Sequence, residues 1–291
     1  LEELQAANTL MDYENARKAA PKALTVIDKP WKDPVLKSIV KLVMTFGQYM
    51  AACSGTLVGK HTVLTAGHCV YGHADPGSGF NFTGYASAIT VYVDYANGES
   101  PIAGVAAVSL ACPSNWANNE DFRSDLGVIQ LETDVGIPAG YQTASGNARQ
   151  TTFTYAGYPG TDGYDGSELA EGTTTPTSVN SYNVCHRNTL IQGQSGGPGW
   201  HPADDPVTIV AVNSYSSGAT NCSCRVQSWA LTQINTYEAK SASPATNYWT
   251  CDFDKWNSGQ ACDCNCGIYD IDCKNSALPV DGCSANEACE F

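Results

Sequence analysis

Apolar positions in this chain come in short bursts. Ser38-Ile39-Val40-Lys41-Leu42-Val43-Met44, Thr62-Val63-Leu64 and Ile89-Thr90-Val91-Tyr92-Val93 are dense in β-branched and aromatic residues, a composition that suits a pleated, half-buried strand. Gly127–Leu131, Thr151–Tyr155 and Val207–Val212 repeat it. Clusters of Gly, Pro and Asn separate the bursts. Many short strands at this spacing predict an all-β sandwich or barrel. Near residue 230 the period changes: Trp229, Leu231, Ile234 and Tyr237 recur at helical spacing, which predicts a helix after the last strand.

The two ends depart from this pattern. Residues 1–34 read as an N-terminal extension, with short helical or irregular segments from Leu1 to Ala20 that stop at Pro21. The first fifty residues hold seven of the fifteen Lys and Arg, so this arm is either a basic flap on an acidic body or a solvated tail. Residues 241–250, with Pro244 among small polar residues, read as a linker. Beyond it, 251–291 contains seven cysteines, eight acids and two lysines. So short a segment buries little core and needs staples, which predicts a disulfide-rich module. Metal thiolates at Cys262, Cys264 and Cys266 are the rival reading. Asp263, Asn265, Asp270 and Asp272 form an acidic loop that could hold Ca²⁺, and a solvated turn explains them equally. No metal and no cofactor are expected.

Composition narrows the partners. A net charge of −14 over 291 residues argues against nucleic acid or an anionic membrane surface. No apolar stretch approaches the ~20 residues that cross a bilayer. Thirteen cysteines fit an oxidising compartment. The start Leu1-Glu2-Glu3 has no basic-then-apolar leader, as in a mature or trimmed secreted product. Asn81-Phe82-Thr83 and Asn221-Cys222-Ser223 are glycosylation sequons, which predict a glycoprotein if the source is eukaryotic. A monomer is expected.

The candidate chemistry starts at Gly193-Gln194-Ser195-Gly196-Gly197-Pro198. A serine among glycines presents a hydroxyl on a tight turn, where the N–H groups of Gly193 and Ser195 can converge on one oxygen. A Gly/Ser turn of no function is the plain alternative. The hydroxyl needs a base, and the chain offers His61, His68, His73, His186 and His201. Only His201 follows the serine, with no acid between them. That excludes the Ser–acid–His order of an α/β-hydrolase elbow, while His–Asp–Ser stays open. His68 sits in Thr65-Ala66-Gly67-His68-Cys69. Asp125 leads directly into Leu126-Gly127-Val128-Ile129, whereas Glu120 and Asp121 read as a solvated run.

These three stretches together, in this order, resemble the chymotrypsin-like (trypsin-like) serine proteases from about residue 37 to 238. Ser54–Lys60 and Ala156-Gly157-Tyr158-Pro159-Gly160 look most like the glutamyl-endopeptidase branch. Met11–Pro21 resembles the segment preceding the protease domain in some exported members, as a pro-segment remnant would. The resemblance implies a protease domain over 35–240 made of two antiparallel six-stranded barrels, with His68 and Asp125 in the first and Ser195 in the second. It implies a Ser-His-Asp triad acting on polypeptides through an acyl-enzyme, and a Cys53–Cys69 disulfide. Cys185 would pair with Cys222 or Cys224, with Cys112 as a competitor.

Two departures from the family pattern matter. The residue before the serine is Gln194, which cannot pair with a freed N-terminus, so other bonds must hold the oxyanion loop. At the base of the specificity pocket stands Thr189 where basic-specific members carry an acid, so Lys or Arg preference is not expected. Thr189, Leu190, Asn213, Ser214 and Tyr215 are the substrate-binding candidates. Thr189 and Ser214, with help from His186 or Arg187, could bind an acidic side chain; Leu190, Asn213, Ser214 and Tyr215 could equally form a medium-sized apolar-to-polar pocket. An inactive binding module with an adhesive tail is the non-enzymatic alternative.

Overall fold

The computed structural model describes residues 24–98, 100, 104–135, 141–244, 251, 255, 258, 260–263, 266, 271–274 and 277–281. The arm Leu1–Ala20 and, in the tail, Cys264, Asn265, Asp270, Cys283 and Cys289 lie outside them.

Six strands close a barrel in the order β2 (Ile39–Phe46), β3 (Tyr49–Leu57), β4 (Thr62–Thr65), β7 (Gly127–Leu131), β6 (Val105–Ala111) and β5 (Ala88–Val93), with β5 pairing back onto β2. Alternation sets the inside. Val40, Leu42, Met44 and Phe46 of β2 are fully buried, while Lys41, Val43 and Thr45 between them are half-buried, the period of 2 that a pleated strand imposes. The strand β3 was not legible from its Ala51-Ala52-Cys53-Ser54-Gly55. It takes its structure from β2, with which it pairs over eight positions from Ile39↔Thr56 to Phe46↔Tyr49.

The second half is antiparallel apart from one short parallel pairing, and closure into the expected second barrel is not seen among the described residues. Its path runs β1 (Thr25–Ile27), β10 (Leu169–Thr174), β9 (Phe153–Gly157), β13 (Pro198–Trp200), β14 (Thr208–Ser217), β15 (Thr220–Arg225), β12 (Asn183–His186) and β11 (Ser178–Val179), with β8 (Thr143–Ala144) added in parallel to β14. The end strands β1 and β11 have three and two residues. They pair only with β10 and β12 and not with each other, so among the described residues the sheet stays open.

A short helix α1 (Ser114–Asn119), not foreseen, buries Trp116 and ends at Glu120 in a left-handed conformation. The foreseen helix α2 (Ser228–Glu238) buries Ala230, Ile234 and Tyr237. Its last residue latches onto the first barrel: Glu238 accepts from Lys60 N (3.0 Å), His61 N (3.3 Å) and the Thr62 hydroxyl (2.5 Å). Ser243–Pro244 then pair in parallel with Thr133–Asp134, which follow β7.

The disulfides resolve the pairings left open. Cys53 joins Cys69, and Cys185 joins Cys222. Cys222 lies directly opposite Cys185 in the ladder, while Cys224 stands opposite Asn183. Cys224 and Cys112 remain buried thiols, so neither rival takes Cys185. In the tail Cys251 joins Cys266 and Cys262 joins Cys273.

Candidate active site

The strand β4 delivers Thr65-Ala66 into a single 3₁₀ turn, Gly67–Cys69, which carries His68. The Cys53–Cys69 disulfide ties that turn to β3, and closing a loop of this size contributes about 3 kcal/mol. Asp125 stands where the turn Phe122–Ser124 enters β7. Its carboxylate holds the histidine at two points: Oδ1 accepts from the His68 backbone N–H (2.8 Å) and Oδ2 faces Nδ1 (2.8 Å). The Ser214 hydroxyl donates to the same Oδ2 at 2.5 Å. Asp125 is fully buried. Burial by itself would push its carboxyl up. The neighbouring His68, by charge and hydrogen bonds, and the Ser214 hydroxyl outweigh that and hold it below the usual carboxylate range. With Nδ1 taken by the carboxylate, the other ring nitrogen, Nε2, is buried and has no hydrogen-bond partner among the described residues.

Ser195, 8% exposed, sits in a loop held from both halves of the molecule. Its carbonyl accepts from Ser54 N (2.8 Å), and the Ser54 hydroxyl donates to the Gly193 carbonyl (2.8 Å) while accepting from Tyr158 N (2.8 Å). Ser54, on β3, is thus a hub that sequence reading did not single out, because a serine inside a strand carries no local signal. Glycine is required at Gly193 and Gly196, whose φ values are +91° and +79° and whose missing Cβ atoms would meet Tyr158 O at 2.3 Å and Thr65 Oγ1 at 2.0 Å. Neither the Gly193 N–H nor the Ser195 N–H donates a hydrogen bond among the described residues, which leaves both donors open to an incoming oxygen.

Gln194 replaces the missing ion pair with neutral bonds. Its side chain is fully buried, accepts from Ile191 N (3.0 Å) and donates to Ala170 O (3.2 Å).

The pocket candidates fall into different environments. The Thr189 carbonyl accepts from the Tyr155 hydroxyl at 2.6 Å. Leu190 is buried in an apolar cluster with Phe153, Tyr155 and Val210, and Asn213 is buried with both ends of its amide bonded. Ser214 is committed to Asp125. Tyr215 is half-buried with its ring 5.0 Å from that of the exposed Phe122. His186 is fully buried and stacked on Tyr155 at 4.7 Å, with neither ring nitrogen hydrogen-bonded among the described residues. Burial pushes its pKa down to about 4, so near neutrality it is uncharged and offers a carboxylate no cation. Arg187 is exposed.

Of the other histidines, His61 lies between Asp134 (2.7 Å) and the Tyr237 carbonyl (2.9 Å) and His73 meets the Trp116 carbonyl (2.9 Å), both away from the serine loop. His201 is buried, accepting from Arg149 N at 2.9 Å. Of the two sequons, Asn81 is exposed, while the Asn221 amide donates to Asn188 O at 2.6 Å.

A closed six-stranded barrel beside a second antiparallel sheet, with serine, histidine and aspartate contributed around their junction, is the architecture of a chymotrypsin-fold serine protease. Residues 37–230 match the family model described as Trypsin, and the chain belongs to the trypsin family of serine proteases. It is 28% identical over 188 residues to a glutamyl endopeptidase of Bacillus licheniformis, covering 63% of this chain and 52% of that protein. It is 26% identical over 179 residues to an extracellular metalloprotease of Bacillus subtilis, covering 60% and 54%. The crystal structure of protease Anisep from Arthrobacter nicotinovorans superposes with a TM-score of 0.62 at 25% identity, covering 72% of this chain and 98% of that one. The resemblance to the glutamyl-endopeptidase branch therefore holds. The chain spans about half the length of the curated relatives it matches.

The Bacillus subtilis name raises the question of a metal. Among the described residues the one group at ligand spacing is Cys53, His68 and Cys69. Its two sulfurs are bonded to each other and supply no thiolate, so these residues do not fit a metal centre. No helix among the described residues is long and apolar enough to cross a membrane.

Proposed function

We propose that the chain is a secreted serine endopeptidase working through Ser195, His68 and Asp125. The observation that carries this reading is the double hold of Asp125 on His68 with the buried Nε2 left unpartnered. A base needs that free nitrogen, and its tautomer is set by the carboxylate behind it. Ser195 Oγ attacks the peptide carbonyl carbon as its proton passes to Nε2. The C–N bond then breaks, the proton goes to the leaving amine, and water releases the acyl group by the same route. The carbonyl oxygen, negative in the tetrahedral intermediate, takes the N–H groups of Gly193 and Ser195. No closed bond between Nε2 and the serine is needed beforehand, since such contacts often tighten only in the substrate complex.

In the S1 region an apolar or small side chain is favoured. Leu190 and the half-buried Tyr215 are apolar, the Ser214 hydroxyl is committed to Asp125, and His186 is neutral. Acidic preference is the second reading, favoured by the name of the Bacillus licheniformis relative, with the exposed Arg187 as counter-charge. Residues 35–240 would form the protease and 251–291 a stapled accessory module.

A fluorophosphonate probe should label wild type at Ser195 and leave Ser195→Ala unlabelled. Peptides differing only at P1 (Leu, Ala, Glu, Lys) should rank Lys last. Labelling that persists in Ser195→Ala sinks the assignment.

A further inference from the structure

We infer that Asn213 is a positioning residue for the oxyanion site, fixing the peptide unit that presents the Ser195 N–H. The inference rests on the serine-protease reading above. A peptide's C=O and N–H share one plane and point in opposite directions, so whatever anchors the Gln194 carbonyl aims the Ser195 N–H. That carbonyl accepts from Asn213 Nδ2 at 3.2 Å and from Gly197 N at 3.0 Å. Asn213 Nδ2 also donates to Ala156 O on β9 at 3.1 Å, while Oδ1 accepts from the Ser223 hydroxyl on β15 at 3.1 Å. With two carbonyls on one side and a hydroxyl on the other, the amide has one satisfactory orientation. Asn213, Ser223 and Gln194 are all fully buried.

The main chain of Asn213 clasps the same loop. Its carbonyl accepts from Gly196 N and its N–H donates to Gly197 O, both at 2.8 Å. The other oxyanion donor is aimed from elsewhere, since Gly193 N–H shares its peptide with the Gln192 carbonyl, which accepts from Gly160 N at 2.8 Å. Two separate supports therefore set the two donors: the Ser223–Asn213 pair behind Ser195, and the Tyr158–Gly160 turn behind Gly193. Asn213, which stands among the pocket candidates, thus turns its polar groups inward to the loop rather than outward to a P1 side chain.

The test compares wild type, Asn213→Ala and Ser223→Ala in peptide hydrolysis, in inhibition by a peptide aldehyde of the same sequence, and in thermal melting. The aldehyde adduct places its hemiacetal oxygen on the same two N–H groups. For Asn213→Ala, kcat should fall about 10- to 100-fold with KM little changed, and the aldehyde should weaken by the factor lost in kcat/KM. Ser223→Ala should show the same pattern, smaller. A folded Asn213→Ala with unchanged kcat overturns the inference, and so does a loss confined to KM with aldehyde affinity intact. Should Asn213→Ala not fold, Ser223→Ala decides: unchanged kcat and unchanged aldehyde inhibition overturn it. Wild type inert toward both peptides and fluorophosphonate would overturn the protease reading, and the inference with it.

Discussion

Two aspartates of the first barrel are equally hidden and oppositely treated. Asp125 is 0% and Asp94 is 1% exposed. Asp125 accepts three hydrogen bonds, from His68 twice and from Ser214, and is held below the ordinary carboxylate range. Asp94 follows β5 with a φ of +47°, and neither of its oxygens has a hydrogen-bond partner among the described residues. Burial pushes it up to about 8, with the charge of Lys37 pulling the other way. Depth alone therefore does not decide whether a carboxyl is charged. The donors placed around it do, because a low-dielectric interior magnifies both a partner and its absence.

The comparison breaks most sharply at Asp125. In Asp125→Asn the new amide can turn an N–H toward Nδ1, which moves the histidine's own proton to Nε2 and removes the base. We expect kcat to fall by roughly 10³- to 10⁴-fold, with fluorophosphonate labelling slowed in parallel. Asp94→Asn should leave kcat essentially unchanged. Near-normal turnover in Asp125→Asn would mean that the pair is structural.

The next largest effect is on stability. Asp94 has its ordinary value of 3.8 when unfolded and about 8 when folded. The native state thus holds the proton more tightly, and the stability this confers is complete below pH 3.8 and drains away as pH rises to 8. Asp94→Asn should melt higher than wild type at pH 8–9, by an amount on the order of a few kcal/mol, and the gap should close toward pH 4. Parallel melting curves at all pH values would contradict the assignment.

His186 supplies a smaller effect of opposite sign. Its folded value is about 4 against 6.5 unfolded, so its contribution is present above pH 6.5 and lost as pH falls to 4. His186→Phe should lessen the decline of Tm between those values. Where the two slopes overlap they oppose each other, and only that of Asp94 remains from pH 6.5 to 8.

The least effect is expected at the ends of the chain, since the bonds described at Asp125 come from His68 and Ser214 of the protease body. With Gln194 bonded to Ile191 and Ala170, acetylating the N-terminus should leave kcat intact. Truncation after Lys240 should change kcat/KM little and Tm modestly, because the Glu238 latch is retained. Loss of folding would make the tail a brace of the protease.

What was legible in the sequence was local. The β-branched runs became β2, β5 and β7, and the helical spacing around Ile234 became α2, because period and propensity act over a few residues. The Gly-Gln-Ser-Gly-Gly turn and the sequence around His68 were legible for the same reason. Hidden was β3, whose Ala-Cys-Ser-Gly composition takes its register from a neighbour.

By itself, then, the sequence determined which elements form and which side chains could carry the chemistry. Tertiary structure alone decided how each buried polar group is used. It set Ser54 between the two halves, turned Asn213 from pocket candidate to support, chose Cys222 over Cys224 for Cys185, and gave Asp125 its donors while giving Asp94 none. These outcomes depend on partners from ten to well over a hundred residues away, and a hydrogen bond exists only where folding brings donor and acceptor to within about 3 Å of each other.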